Sequence, residues 1–401
     1  MPSVKFVDSS TKGIQMATSE DKFEEIRDVV RKIGGKYPLS YWRGLEAEGA
    51  YPSAYVAEMI GAGFAGAMIP QEYGGLGLGI AEASVIVEEM SHQGGNGHAI
   101  HAGMFASEVI TQSGSDAQRQ AILPKVSDGS LRLQAFAVTE PDVGTDTTRI
   151  KTRAIRTEGG YKISGQKIFI SRAAYTDFML VLARTTPLDE CVKRADGLSV
   201  FVFDVRDKIG KSITLRRIPL MFNHHTYEVF FDDVEVPSTA LIGEEGAGFH
   251  YLLRGLNAER ILTSAQSVGD GRYFVERATK YANERVVFGR KIGANQGVQF
   301  PIARAHMQVE SADLMRWRAI ELFDLKKPCG SEANMARLLS AEACWEAANV
   351  AFQTYGGVAV AAEYDIERKF REVRLQQVAP VSTNMVLNYI GTHVLGMPRS
   401  Y

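Results

Sequence analysis

The sequence predicts a mostly α-helical protein with a central antiparallel β-barrel. Its parts are an N-terminal helical domain (1–133), a β domain (134–244) and a C-terminal four-helix bundle (245–401). Three observations predict this. Apolar residues recur at helical spacing up to about Leu131. From Gln134 to Pro237, strand-length apolar runs are joined by short polar turns without intervening helices, which favours antiparallel pairing. From Gly246 onward, long helical periods return with short connections, the pattern of a bundle.

Taken in order, the first helix is expected to open at Ser19, a good N-cap, with Glu20 and Asp21 in its first turn. Phe23, Ile26, Val29, Val30 and Ile33 then share a face, and Gly34-Gly35 ends the run. Helices over 53–63 and 80–91 flank a Gly-rich loop at 72–79. Within the β domain, 161–163 and 167–170 read as two strands around a tight turn at Ser164-Gly165-Gln166. Further strands are expected over 178–183, 199–205 and 229–236, the last stopped by Pro237. The bundle helices are expected over 249–282, 298–326, 331–355 and 382–395.

Composition bounds the function. The chain has 401 residues, 45% hydrophobic and 23% charged, enough for two or three domains with sizeable cores. With 45 basic and 47 acidic residues the formal charge is −2, so nothing drives binding to a nucleic-acid backbone. Cys191, Cys329 and Cys344 are far apart and form no CxxC pair, which fits a reducing compartment. No apolar run is long enough to span a membrane, and the first residues lack a secretory or transit pattern; a cytoplasmic location is expected.

Common cofactor motifs are missing: there is no GxGxxG after a strand, no P-loop and no HExxH. Gly243-Glu244-Glu245-Gly246-Ala247-Gly248 reads as a turn and helix start. His98 and His101 share a helical face, but two ligands do not make a metal site, and no metal is expected. The informative segment is Phe136-Ala137-Val138-Thr139-Glu140-Pro141-Asp142-Val143-Gly144-Thr145-Asp146, a strand leading into a loop of small and hydroxyl residues. Such a loop can aim N–H groups and hydroxyls at an anion or a polar ring edge.

That segment, followed by Gly165-Gln166-Lys167-Ile168-Phe169-Ile170-Ser171, resembles the flavin-binding signature of the acyl-CoA dehydrogenase family. Further segments stand in the family's order: Pro70-Gln71-Glu72-Tyr73-Gly74-Gly75, Phe231-Asp232-Asp233-Val234-Glu235-Val236-Pro237, Gly246-Ala247-Gly248-Phe249, Arg285-Val286-Val287-Phe288-Gly289 and Gln353-Thr354-Tyr355-Gly356-Gly357. The resemblance covers essentially the whole chain. It implies FAD as cofactor, an acyl-CoA thioester as substrate, electron-transferring flavoprotein as electron acceptor, and a homotetramer. It implies that Phe136, Val138 and Thr139 line one side of the flavin, with Phe169 and Ser171 on the other flank, where the family more often has Trp and Thr, and that Gly144 and Thr145 also bind the cofactor. Arg285, Phe288, Gln296, Gln353 and Gly357 resemble residues that hold the FAD of a neighbouring subunit; Ser382 and Asn384 complete the cofactor set.

The implied reaction removes an α-proton and a β-hydride and leaves a trans-2-enoyl thioester. It needs a carboxylate in a dry pocket as base, and hydrogen-bond donors on the thioester oxygen. Most of the family carries its base a fixed distance after the Gly-Gly motif; counting from Gly357 through Arg371, that place holds Pro380, which has no N–H to donate. A minority places the base on an earlier helix, at the position matching Glu259, the expected catalytic base. Asn257, Arg260, His101 and Met104 are expected around the substrate, with His98 and Phe105 nearby, whereas His224 and His225 read as solvent-facing loop histidines. The missing usual base also fits an oxidase, a thioester eliminase or desulfinase of the same fold, or a flavoprotein that binds acyl-CoA without catalysis.

Overall fold

The computed structural model describes residues 23–379 and 381–399. The expected cap at Ser19, the turn residues Glu20 and Asp21, and Pro380 lie outside them. The first helices are α1 (Glu24–Gly34), α2 (Leu39–Glu48), α3 (Ser53–Gly61), α4 (Ile80–His92), α5 (His98–Ser113) and α6 (Asp116–Ser127). In α1, Glu24 and Glu25 open the helix and Arg31 and Lys32 close it, which suits the helix dipole. A capping box opens α6: Gln118 N–H donates to Ser115 Oγ at 3.2 Å, and Ser115 N–H donates to Gln118 Oε1 at 2.8 Å. Helix α4 is buried on nearly every side, so its apolar residues show no single stripe.

The strands are β1 (Leu133–Ala137), β2 (Arg153–Thr157), β3 (Gly160–Ser171), β4 (Phe178–Arg184), β5 (Leu198–Asp204), β6 (Ile213–Arg217), β7 (Thr226–Pro237) and β8 (Leu241–Ile242). They form one sheet in the order β6-β7-β3-β2-β4-β5-β8, with β1 on β4. Two expectations change here. The antiparallel barrel is, among the described residues, an open mixed sheet in which no pairing joins β6 to β8. One edge of β4 takes two partners, both parallel: β1, with Phe136 opposite Leu180, and β2, with Arg153 opposite Arg184. The tight turn expected at 164–166 is the middle of one continuous strand. The reversal lies earlier, where Thr157 pairs with Gly160. Gly165 takes φ +150 at a register shift, and a Cβ there would lie 2.6 Å from Thr152 Oγ1, so the position is a bulge that needs glycine.

The chain continues through α7 (Gly248–Glu284), the short hairpin β9 (Val286–Val287) and β10 (Arg290–Lys291), α8 (Gln296–Asp324), α9 (Gly330–Tyr355), α10 (Ile366–Val373) and α11 (Thr383–Tyr389), which ends in a π-turn over Ile390–Val394. Helix α7 organises the molecule. It approaches α4 at Gly269, where a Cβ would meet Glu88 O at 2.1 Å. It runs antiparallel to α5, with Gly97 against Gln266 and Gly255 against Val109. Glu88, buried on α4, pairs with Arg27, Arg272 and Arg316, and so ties α1, α7 and α8 together. No described helix is long and apolar enough to cross a membrane.

Candidate active site

Glu259 sits on α7 between residues of the helical core: Ala258, Ile261 and Leu262 are fully buried. Their packing fixes the helix and leaves Glu259 on the adjoining face, half-buried. Burial pushes its carboxyl up to about 7, against weaker opposition from the charges of Arg260 and Arg337. Among the described residues it makes no hydrogen bond or ion pair closer than 4 Å. A group so strongly desolvated yet still reached by solvent stands in a recess. The neighbouring arginines are otherwise engaged. Arg260 Nη1 donates to Asn257 Oδ1 at 2.9 Å. Arg337, on α9, donates to Gln376 O and, at 2.9 Å, to Ala379 O. It thereby fixes the segment leading to Pro380, a role that sequence reading missed because both acceptors are backbone atoms some forty residues away.

Gln376 links this region to a group of histidines. Its Nε2 lies 3.2 Å from His98 Nε2, and the His98 ring is 4.9 Å from that of His101 and 5.0 Å from that of His224. Burial holds His98 and His224 well below the usual histidine range and brings His101 to about 3; the buried Arg172 guanidinium adds to each. These imidazoles are therefore neutral near pH 7. The expectation of solvent-facing loop histidines at 224 and 225 is overturned. His225 is buried, and His224 Nε2 lies 2.9 Å from Ser171 Oγ, because the loop before β7 folds under the helical domain. Of the expected substrate residues, His101 belongs to this group, while Met104 is sealed in the helical core at 1% exposure.

The first set of expected cofactor residues meets where β1 ends against β3. Lys167 Nζ donates to Val138 O at 2.8 Å, and Ile168 N–H donates to Thr139 O at 2.9 Å. The next residue, Phe169, has φ 60 at a second register shift of β3 and keeps 57% of its surface exposed. The bulge turns an aromatic side chain out beside half-buried Val138, Thr139 and Ser171, with Gly144 and Thr145 exposed on the following loop. Phe136 packs against both the helical core and the outer core of the sheet. This surface of aromatic ring, hydroxyls and open glycine fits a planar heterocycle with polar edges. Sequence reading missed what holds it: buried Lys167 pairs with Glu140 at 3.0 Å, and Glu140 accepts the N–H groups of Lys151 at 2.6 Å and Thr152 at 2.8 Å.

A second set gathers elsewhere. Tyr281 stacks on Tyr355 at 4.1 Å, and Ile292 N–H donates to Arg285 O at 2.9 Å. Arg285, Phe288, Gln296, Gln353 and Gly357 therefore share one end of the bundle, and all are exposed, Phe288 completely. Arg285 follows Glu259 by 26 residues of helix, about 39 Å at 1.5 Å per residue. The second set therefore lies most of a helix length away from Glu259. Ser382 is half-buried and Asn384 exposed at the start of α11.

Family models described as the N-terminal, middle and C-terminal domains of acyl-CoA dehydrogenase match residues 20–130, 135–234 and 246–395. An acyl-CoA dehydrogenase of Mycobacterium tuberculosis is 36% identical over 386 residues, 96% of this chain and 98% of the relative. Cyclohex-1-ene-1-carbonyl-CoA dehydrogenase of Syntrophus aciditrophicus is 33% identical over 343 residues, 82% of this chain and 79% of the relative. The structure of butyryl-CoA dehydrogenase from Megasphaera elsdenii superposes with a TM-score of 0.88 at 26% identity, covering 94% of this chain and 98% of that one. The chain belongs to the acyl-CoA dehydrogenase family.

Proposed function

We propose that the chain is an FAD-dependent acyl-CoA dehydrogenase in which Glu259 takes the α-proton and electrons leave to an electron-transferring flavoprotein. The observation that carries this is the Glu259 carboxyl: without a partner among the described residues, strongly desolvated, with a pKa of about 7 at the place where a minority of the family keeps its base. A base poised near the working pH combines a useful deprotonated fraction with strong proton affinity. FAD, when bound, supplies the acceptor for the β-hydride. Phe136, Val138, Thr139, Phe169 and Ser171 would hold its ring, and Gly144 and Thr145 its polar edge. Asn257 and Arg260 stand beside the base as the substrate wall.

The second cofactor set belongs to a neighbouring subunit's FAD in this reading, and the chain works as a homotetramer. On α8, Phe300, Met307 and Leu314 repeat every seven residues with 60%, 68% and 73% of their surfaces exposed, a stripe suited to a facing helix. Three free cysteines suit a cytoplasmic enzyme. The division into domains at 133/134 and 244/245 is part of the same reading. Anaerobic titration of the purified yellow protein with acyl-CoA thioesters is the test. Bleaching of the flavin band by at least one thioester is expected; a flavin that none of them bleaches overturns the proposal.

A further inference from the structure

Arg172 is a buried cation without an anion among the described residues. It directly follows β3 with a left-handed backbone (φ 59) and donates its N–H to His225 O at 2.6 Å. Its side chain leaves the sheet toward the helical domain, where its charge acts on Tyr51, His98, His101 and His224. The residue is 5% exposed. The other described buried arginines are engaged: Arg27, Arg316 and Arg368 meet carboxylates, and Arg184 and Arg337 meet carbonyls. The Arg172 guanidinium has neither among the described residues, and its only opposing group is the Tyr51 phenol, which burial keeps neutral. Burying an unpaired charge costs several kcal/mol, so a fold that keeps one has a reason. The Nε atoms of Arg27, Arg260 and Arg277 are sealed without partners, but no Arg172 nitrogen is, so the guanidinium borders a gap rather than packed atoms on every side.

That space adjoins His101 on α5, which packs against α7. From the pairing of Gly97 with Gln266 and Val109 with Gly255, His101 stands level with about residue 262 of α7. This is roughly 5 Å along the helix axis from Glu259 at 1.5 Å per residue. Its Nε2, like the guanidinium, is unsealed and without a hydrogen-bond partner among the described residues.

We infer that Arg172, with His101 beside it, receives a carboxylate at the far end of the acyl group, so that the preferred substrate is the monothioester of a dicarboxylic acid. The inference rests on the acyl-CoA reading above. The planar guanidinium matches a carboxylate in charge and in fork geometry, and the neutral His101 imidazole borders the same space without a competing charge. Arg172 is a specificity residue in this account.

The test compares anaerobic flavin reduction by succinyl-, glutaryl- and adipyl-CoA with that by butyryl-, valeryl- and hexanoyl-CoA. For at least one chain length the dicarboxylic thioester is expected to have the higher kcat/KM. Arg172→Met should lower that dicarboxylic-to-monocarboxylic ratio by about 30-fold or more, the scale of truncating one partner of a buried charge pair, and Arg172→Lys should restore part of it. A wild type that prefers the monocarboxylic thioester at every length overturns the inference. So does an Arg172→Met protein in which both classes slow equally or the flavin is lost, which would assign the arginine to the cofactor. If the variants do not fold, the wild-type preference decides. Reduction by none of the six, nor by other thioesters, would instead remove the acyl-CoA reading itself.

Discussion

Two glutamates of this chain, Glu140 buried and Glu259 half-buried, receive opposite treatment. Glu140 accepts two backbone N–H groups and the ammonium of Lys167, and these partners outweigh burial and hold its pKa below the ordinary value. Glu259 has no hydrogen-bond partner among the described residues, and burial lifts its pKa to about 7. Both carboxyls are desolvated; partners make the difference. A paired carboxylate is a fixed anion and serves as a clamp, here on the loop that frames the proposed flavin site. An unpaired one at the edge of neutrality can take and return a proton.

The largest expected effect breaks the comparison on the chemical side. Glu259→Gln keeps shape and removes proton affinity, and should slow anaerobic flavin reduction by about 10²–10⁴-fold with thioester binding retained. Full activity in this variant would place the base elsewhere. On the structural side, Lys167→Met strands Glu140 as an unpaired buried charge. Urea denaturation should show a loss of about 3–5 kcal/mol, and adding Glu140→Gln should return part of it.

A subtler contrast comes from pH. Glu259 has a folded pKa of about 7 against an ordinary 4.5. Between those values the folded state binds more protons than the unfolded state, so its contribution to stability is full below 4.5 and lost as pH rises through 7. Glu259→Gln should therefore raise Tm at pH 8 relative to wild type and have little effect at pH 4.5. Activity has the opposite sign: kcat/KM of the wild type should rise with pH through about 7, as the base deprotonates. The smallest effect is a control. Asp142, in the same loop as Glu140, pairs with Lys151 at the surface, with both side chains more than 70% exposed. Asp142→Asn should leave Tm unchanged, because exposed pairs contribute little.

Most of the helices and strands were legible because local patterns decide them. The long apolar periods of α7, α8 and α9 and the runs of β4, β5 and β7 needed no tertiary information. The errors came where distant partners decide. Ser164-Gly165-Gln166 looks like a turn, yet β2 and β7 pair along both edges of β3 and pull it straight. Helix α10 was not expected: it is only eight residues long, and buried ion pairs of Arg368 and Lys369 with Asp365, Asp270 and Glu372 help to hold it. In the site, Glu259 was visible only by its place in a family pattern, since nothing local marks it as buried. Arg172 directly follows a motif that was read, but its isolation depends on Tyr51 and His101 and shows only in three dimensions.

The most direct test of the account is exchange at the substrate α-carbon, which isolates proton abstraction from hydride transfer. The purified holoenzyme is mixed in deuterium oxide with a thioester that has no transferable β-hydrogen, and loss of the α-proton signal is followed by NMR. Wild type should exchange at a rate that rises with pH through about 7, while Glu259→Gln, with its flavin retained and the thioester bound, should not exchange. Exchange at the wild-type rate in that variant would contradict the assignment of Glu259 as the base.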